Sequence, residues 1–379
     1  MSNKQAAEAA FSAVEDDLRA TSRWMYDNPE LGFEEFESSR KLGEFLAAYG
    51  FDVEYPTHGV ETAFAATVGG GGPRVVICCE YDALPVVGHA CGHNIIATAA
   101  LGAGIAVSGL VDELGIRVTV LGTPAEEGGG GKVDLINAGA FEDAAASMMI
   151  HPGPDDQLDP SFQARESFTV EYFGKDSHAA FAPEMGINAL DAFVQAYMNV
   201  ATLRQALLGD DRVHCIIDKG GDASNIIPSY TKSTWGIRAG SKERLEELIP
   251  KVKACFEGAA TATGCRLEMT SAGHPYLNMI NNPIMTGLYA ANSATMGRSM
   301  PTEEETGFGG GSSDMGNVSQ IVPAIHPMIG IGSAPAVNHQ PEFAANTITP
   351  AGDQAIRDGA LSMAYTIIDM AEQDVWGNL

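Results

Sequence analysis

With 379 residues, 45% of them hydrophobic, the chain is too long for one small module and suits two domains or one large α/β domain. Its 22 Lys and Arg against 49 Asp and Glu give a formal charge of −27. A field of that sign repels phosphate backbones and anionic lipid, which argues against nucleic-acid and membrane partners.

In chain order, the opening MSNKQAAEAAFSAVEDDL is polar and acidic, unlike the basic-then-apolar start of an exported chain. The run Arg74–Cys79 (RVVICC), behind the turn-like glycines 69–72, predicts a buried strand. The small-residue stretch 95–111 predicts a helix packed tightly on a sheet, short of the about 20 residues that span a bilayer. Residues 116–121 (IRVTVL) and 147–150 predict two more buried strands. Continuous apolar strands separated by helices indicate an α/β fold with a mostly parallel central sheet flanked by helices.

From 166 to 274 the pattern changes. Strand 167–173, helix 187–208, strands 212–218 and 231–238, charged helix 242–259 and strand 266–270 follow one another. That β-α-β-β-α-β order is the split pattern of a ferredoxin-like α+β sandwich. Residues 165–275 are therefore expected to be a second domain, inserted into a domain made of 1–164 and 276–379. After Pro275 come a helix near 282–296, a glycine-rich loop 307–311, a strand 328–331 and a final helix from Thr349. The six cysteines form no C-x-x-C pair and read as reduced thiols, consistent with a cytoplasmic protein.

Ligand-type residues gather at the ends of the predicted strands, where open parallel sheets build their sites. Glu80-Tyr81-Asp82 and His89-Ala90-Cys91-Gly92-His93 follow the first strand, Glu126-Glu127 the second, His151 the third, and His339 a late strand and loop. Singly, Cys91 and His93 could be helix-cap residues, His151 a hydrogen-bonded core histidine, and Glu126-Glu127 a solvated acidic pair. Together, two adjacent carboxylates buried near imidazoles are costly unless a cation or a shared proton compensates, and a divalent metal pair does this directly. Imidazole, carboxylate and thiolate suit Zn²⁺ and tolerate Mn²⁺, Co²⁺ or Ni²⁺. With two glutamates side by side, one can ligate while the other moves a proton. His58, His89, His214, His274 and His326 read as structural, Cys78 and Cys79 as core thiols, and the glycines 128–131 lack the G-K-[ST] of a phosphate loop.

The runs EYDALPVVGHACGHN, TPAEEGGGGK, GKDSHAAFAPEMGINALDA, GGDASNIIP, WGIRA, GGGSSDMGNVS and NHQPEF, in this order, resemble the M20 metallopeptidase and aminoacylase family, in particular its amidohydrolase branch. The resemblance implies two divalent metals per chain, with Cys91 bridging them and His93, Glu127, His151 and His339 completing the ligand set. It implies that Glu126 is general base and acid, and that Asp82 orients a ligand histidine. It implies that the inserted domain is a lid that mediates a homodimer. His178 of that lid would reach a partner's site to meet the oxyanion, and Asn225 and Arg238 would hold substrate.

Two positions depart from the branch: Glu80 stands first in E-Y-D, and Asn94 follows C-G-H. The expected activity is hydrolysis of the amide bond of a small N-acyl amino acid, an aminobenzoyl-amino acid or an unusual dipeptide, through a metal-bridging hydroxide. The alternatives are hydrolytic deamination of an aryl amine on the same scaffold, or a non-catalytic relative that binds a small molecule.

Overall fold

The structure, a computed structural model, describes residues 1–307 and 309–379. Of the glycine-rich loop expected at 307–311, Phe308 lies outside the described residues. The chain divides into two compact units, one formed by Met1–Ser161 with Met279–Leu379, the other by Phe162–Asn278. The boundaries expected at 164/165 and 275/276 fall a few residues inside the second unit. There Arg165 and Tyr276 exchange backbone hydrogen bonds at 2.8 and 3.0 Å, so the segment's two ends are paired.

The strands are β1 (Asp52–Glu54), β2 (Ala65–Val68), β3 (Arg74–Cys79), β4 (Arg117–Gly122), β5 (Ala144–Met148), β6 (His151–Gly153), β7 (Ala164–Phe173), β8 (Arg212–Lys219), β9 (Tyr230–Ala239), β10 (Arg266–Ser271), β11 (Ala324–Ile325) and β12 (Met328–Gly330). In the first unit a six-stranded sheet has the order β1-β2-β4-β3-β5-β11. The pairs β3–β4, β3–β5 and β5–β11 are parallel, and β1 and β2 add an antiparallel edge. Every residue of β3 is buried, as its unbroken apolar run requires of a central strand covered on both faces.

The helix His93–Ser108 is buried along nearly its whole length. It carries apolar residues on all sides because it lies inside the unit, in contact with β3 and β4 and with the helices Asn3–Ser12, Glu15–Asp27 and Pro350–Glu372.

The strand expected at 147–150 corresponds to the end of β5 (Ala144–Met148), with Met149 and Ile150 between it and β6. β5 ends at Met148, and β6 starts at His151 and pairs in parallel with β12 as a separate two-stranded sheet. Pro152 and Pro327 each lack the N–H that one continuous ladder would use. The parallel register is kept across the gap, and the His151 N–H donates to the Pro327 carbonyl at 3.0 Å.

The second unit is one antiparallel sheet in the order β10-β7-β9-β8, with helices Ala189–Leu203 and Lys242–Thr263. This is the ferredoxin-like arrangement of a β-α-β-β-α-β chain. Phe168, Val170 and Tyr172 of β7 and Trp235, Ile237 and Ala239 of β9 alternate inward to meet Leu248, Val252 and Phe256 of the second helix. Among the described residues no helix is long and apolar enough to cross a membrane.

Candidate metal centre

Cys91 lies on the turn before the helix His93–Ser108. The turn is tight because Gly92 adopts φ 79°, and a Cβ there would stand 2.5 Å from Pro152 Cγ. Only glycine lets the turn approach β6 so closely, and that approach sets Cys91 Sγ 3.5 Å from His151 Nε2. His339 arrives on a later loop whose backbone N–H donates to the Ala90 carbonyl at 2.8 Å, bringing its Nε2 3.6 Å from the same sulfur. Asn338 braces that loop by donating to the Pro152 carbonyl at 3.1 Å.

The remaining nitrogens fix each ring. His151 Nδ1 donates to the Pro152 carbonyl at 2.8 Å, and His93 Nδ1 faces Asp82 Oδ1 at 3.0 Å. Both leave Nε2 for the cluster. Asp82 also accepts the backbone N–H of Glu127 on Oδ2 at 2.9 Å, so one carboxylate orients a histidine and a glutamate together. Burial alone would raise the Asp82 carboxyl, but the charge and hydrogen bond of His93 hold it below the usual aspartate value.

Three groups of side chains converge closely enough to share a cation: Cys91 with His93 and His151, Cys91 with Glu127 and His339, and Glu80 with His93 and Glu126. Cys91 is common to the first two. His93 Nε2, Glu127 Oε1 and Glu80 Oε2 are buried without a hydrogen-bond partner. Orphaned buried acceptors are costly, and a divalent cation would satisfy them together. Thiolate, imidazole and carboxylate are also the donor types that Zn²⁺ and Mn²⁺ take. The residues present fit divalent metal.

Adjacent Glu126 and Glu127 part company. Glu127 stands 3.5 Å from His339 Nε2, whereas Glu126 belongs with Glu80 and His93. Burial, then the charges of Glu80, Asp314 and Glu127, push the Glu126 carboxyl well above the ordinary glutamate value, which suits a group that carries a proton.

Glu80 is anchored from behind by Lys132, whose ammonium lies 2.5 Å from Glu80 Oε1 and 2.6 Å from Asp314 Oδ1. Asn94 points elsewhere, donating to the hydroxyls of Ser22 and Thr347 at 2.9 and 3.2 Å, and so ties elements together without serving the cluster. The backbone N–H groups of Gly129 and Gly130 both donate to the Ala125 carbonyl and are not presented as an anion cradle.

In the second unit, His178 Nδ1 accepts the backbone N–H groups of Ala180 and Phe181 at 3.2 and 3.1 Å. A neutral ring held this way carries its proton on Nε2 and offers it as a donor. Asn225 lies beside it, its carbonyl accepting the Ala179 N–H at 2.9 Å. Arg238 sits toward the end of β9, opposite Arg165 of β7 and Arg212 of β8. Burial and then the Arg165 charge lower its pKa. His178 and Asn225 are thus neighbours in the connections that follow β7 and β8, whereas Arg238 lies within β9.

Sequence motifs alone assign no role to Lys132, Asp314 or Glu35, whose carboxyl Oε1 accepts the Ala125 N–H at 2.8 Å. A lone lysine directly after four glycines, and a glutamate doublet between two phenylalanines (F-E-E-F), are the signals that could have marked the first and the last.

A profile of peptidase family M20/M25/M40 matches residues 80–364. An Xaa-Arg dipeptidase of Mus musculus is 41% identical over 97% of this chain and 88% of its own length. A p-aminobenzoyl-glutamate hydrolase polypeptide of Escherichia coli is 30% identical over 71% of this chain and 60% of its own. Among solved structures, a dinuclear metal-binding peptidase of the M20 family from Bacillus subtilis superposes with a TM-score of 0.72 at 20% identity, covering 94% of this chain and 99% of its own.

Proposed function

This chain belongs to peptidase family M20/M25/M40 and is a metal-dependent hydrolase of amide or peptide bonds, and we propose that it is a two-metal amidohydrolase acting on small amides. The observation that carries the proposal is the meeting of Cys91, His93, Glu127, His151 and His339 around one sulfur, with Glu126 beside them.

Cys91, His93 and His151 would hold one metal, and Cys91, Glu127 and His339 the other. Bound there, divalent metals such as Zn²⁺ or Mn²⁺ would polarise the scissile carbonyl and acidify water. Glu126 would take the proton of the attacking water on its carboxylate and pass it to the leaving nitrogen. Asp82 keeps His93 and the Glu127 backbone in place while this happens. His178, from the lid of a second copy, would donate Nε2–H to the oxyanion, and Asn225 and Arg238 would hold the substrate's polar end.

A dipeptide with a basic C-terminal residue is the first substrate class to test, supported by the 41% identity to the Mus musculus Xaa-Arg dipeptidase and by the acidic chain. N-acyl amino acids and aminobenzoyl-amino acids come next. A homodimer through the second unit is supported by β8, an edge strand on which Ile216 is 65% exposed.

The test is amine release from β-alanyl and Xaa-Arg dipeptides, N-acyl amino acids and aminobenzoyl-glutamate, with protein loaded in turn with Zn²⁺ and Mn²⁺. Turnover that depends on metal supports the proposal. No release from any of them, at two metals bound per chain, would remove it.

A further inference from the structure

Immediately before the glutamate pair, Ala125 adopts φ 58°, a left-handed backbone that a non-glycine residue rarely takes. It is wedged in place. A Cβ on Gly32 would stand 3.0 Å from Ala125 Cβ, and one on Gly129 would stand 2.6 Å from it. Two carboxylates then grip the peptide on either side of Glu126. Glu35 Oε1 accepts the Ala125 N–H at 2.8 Å, and Asp82 Oδ2 accepts the Glu127 N–H at 2.9 Å.

Glu35 itself has no solvent exposure, and among the described residues it has no basic partner. Burying a carboxyl without a cation is costly, so a core role does not account for it. The segment that carries it is fixed in turn: Ala83 N–H donates to the Glu30 carbonyl at 2.8 Å, and the Glu30 carboxylate accepts the N–H groups of Glu37 and Ser38 at 3.0 and 2.7 Å. The approach of Gly32 to Ala125 completes the same contact.

We propose that Glu35 is a positioning residue for the reaction: by holding Ala125 in its left-handed conformation, it sets the direction in which the chain leaves Ala125 and so brings Glu126 and Glu127 to their separate partners. One is delivered to Glu80 and His93, the other to Cys91 and His339. With Ala125 in an ordinary extended or helical conformation the segment would leave in another direction, and neither glutamate would reach its partners. This inference rests on the roles given to Glu126 and Glu127 above.

The experiment compares Glu35→Ala, Glu35→Asp and Glu35→Gln with the wild-type chain, each titrated with Co²⁺ and followed by the thiolate–cobalt absorption, alongside kcat and KM for amine release. Glu35→Ala is expected to bind Co²⁺ about tenfold to a hundredfold more weakly, as when a group supporting a ligand is removed, and to lose kcat more than KM. Glu35→Asp keeps the charge but withdraws the oxygen by one methylene, so it should behave like Glu35→Ala. Glu35→Gln keeps an oxygen for the same N–H and should restore both the spectrum and kcat.

Wild-type cobalt affinity and spectrum in both Glu35→Ala and Glu35→Asp would overturn the inference. So would a Glu35→Gln protein of unchanged thermal stability that fails as badly as Glu35→Ala. If the wild-type chain releases no amine, the proposed function falls on its own, and the cobalt titration still decides the role of Glu35.

Discussion

The Lys132 ammonium lies 2.6 Å from Asp314 Oδ1, an ion pair in which neither side chain has any solvent exposure. Glu80 makes a second fully buried pair with the same ammonium, so one cation serves two carboxylates beside the proposed centre. Removing that cation strands both. Lys132→Met is expected to destabilise the fold by about 3–5 kcal/mol, the range for breaking a buried pair from one side. Lys132→Met combined with Glu80→Gln and Asp314→Leu should recover most of the loss. Urea midpoints at unchanged slope measure both. A Lys132→Met protein as stable as wild type would mean that the carboxylates find another counter-charge.

Glu126→Gln is the sharpest test of the proton carrier. The amide has nearly the shape of the acid and can neither take nor give the proton. Turnover should fall about 10²–10⁴-fold with metal content unchanged. Metal analysis of the same preparation separates this from loss of the ligands, and wild-type turnover in the variant would refute the assignment.

Asp82→Asn keeps size and shape but removes the charge that faces His93 Nδ1 and accepts the Glu127 N–H. Metal affinity or activity should fall about 10–100-fold, the usual effect of altering a group behind a ligand histidine. Competition against a chelator reads this directly. An affinity equal to wild type would show that His93 needs no carboxylate to hold its ring.

Glu35 also gives the protein a pH signature. Burial, then the Asp82 charge, push its carboxyl up from 4.5 to about 7. The folded chain therefore holds this proton more tightly than the unfolded chain does. The resulting stability is complete below about pH 4.5 and is lost as the pH rises through about 7. Glu35→Gln stays neutral throughout, so its stability relative to wild type should climb across that window and level off above it. Urea unfolding of both proteins at about pH 5 and about pH 8 measures the difference. A gap that does not change with pH would contradict the shift.

Much of the candidate centre was legible because its residues sit at strand ends in short motifs. Cys91, His93, Glu127, His151 and His339 each adjoin an apolar run or a turn, and the structure brings all five together. Lys132 was not legible because its partners are 52 and 182 residues away, and nothing local marks a lysine as buried. Glu35 was hidden in the same way, since its hydrogen bond spans 90 residues. The break between β5 and β6 depends on prolines in two separate segments, and an apolar run alone does not reveal it. The helix Asn3–Ser12 did carry a signal, the S-x-x-Q capping box of Ser2 and Gln5, which the composition of the opening segment masked.

The partition of the chain has a consequence for how it is made. The unit Phe162–Asn278 is continuous in sequence and, once it has left the ribosome, has every residue its sheet requires. The other unit does not. Strand β5 must wait for β11, and Cys91 for His339, which lies 248 residues further along. At about 5–20 residues per second, the roughly 100 residues after Asn278 take about 5–20 s to appear. During that interval one edge of β5 lacks its parallel neighbour, and the thiol of Cys91 lacks one of its imidazoles. The nascent chain thus passes through a stage with a finished insert between two halves of an unfinished body. Mismetallation and oxidation of Cys91 have their widest opportunity then, before the last histidine arrives.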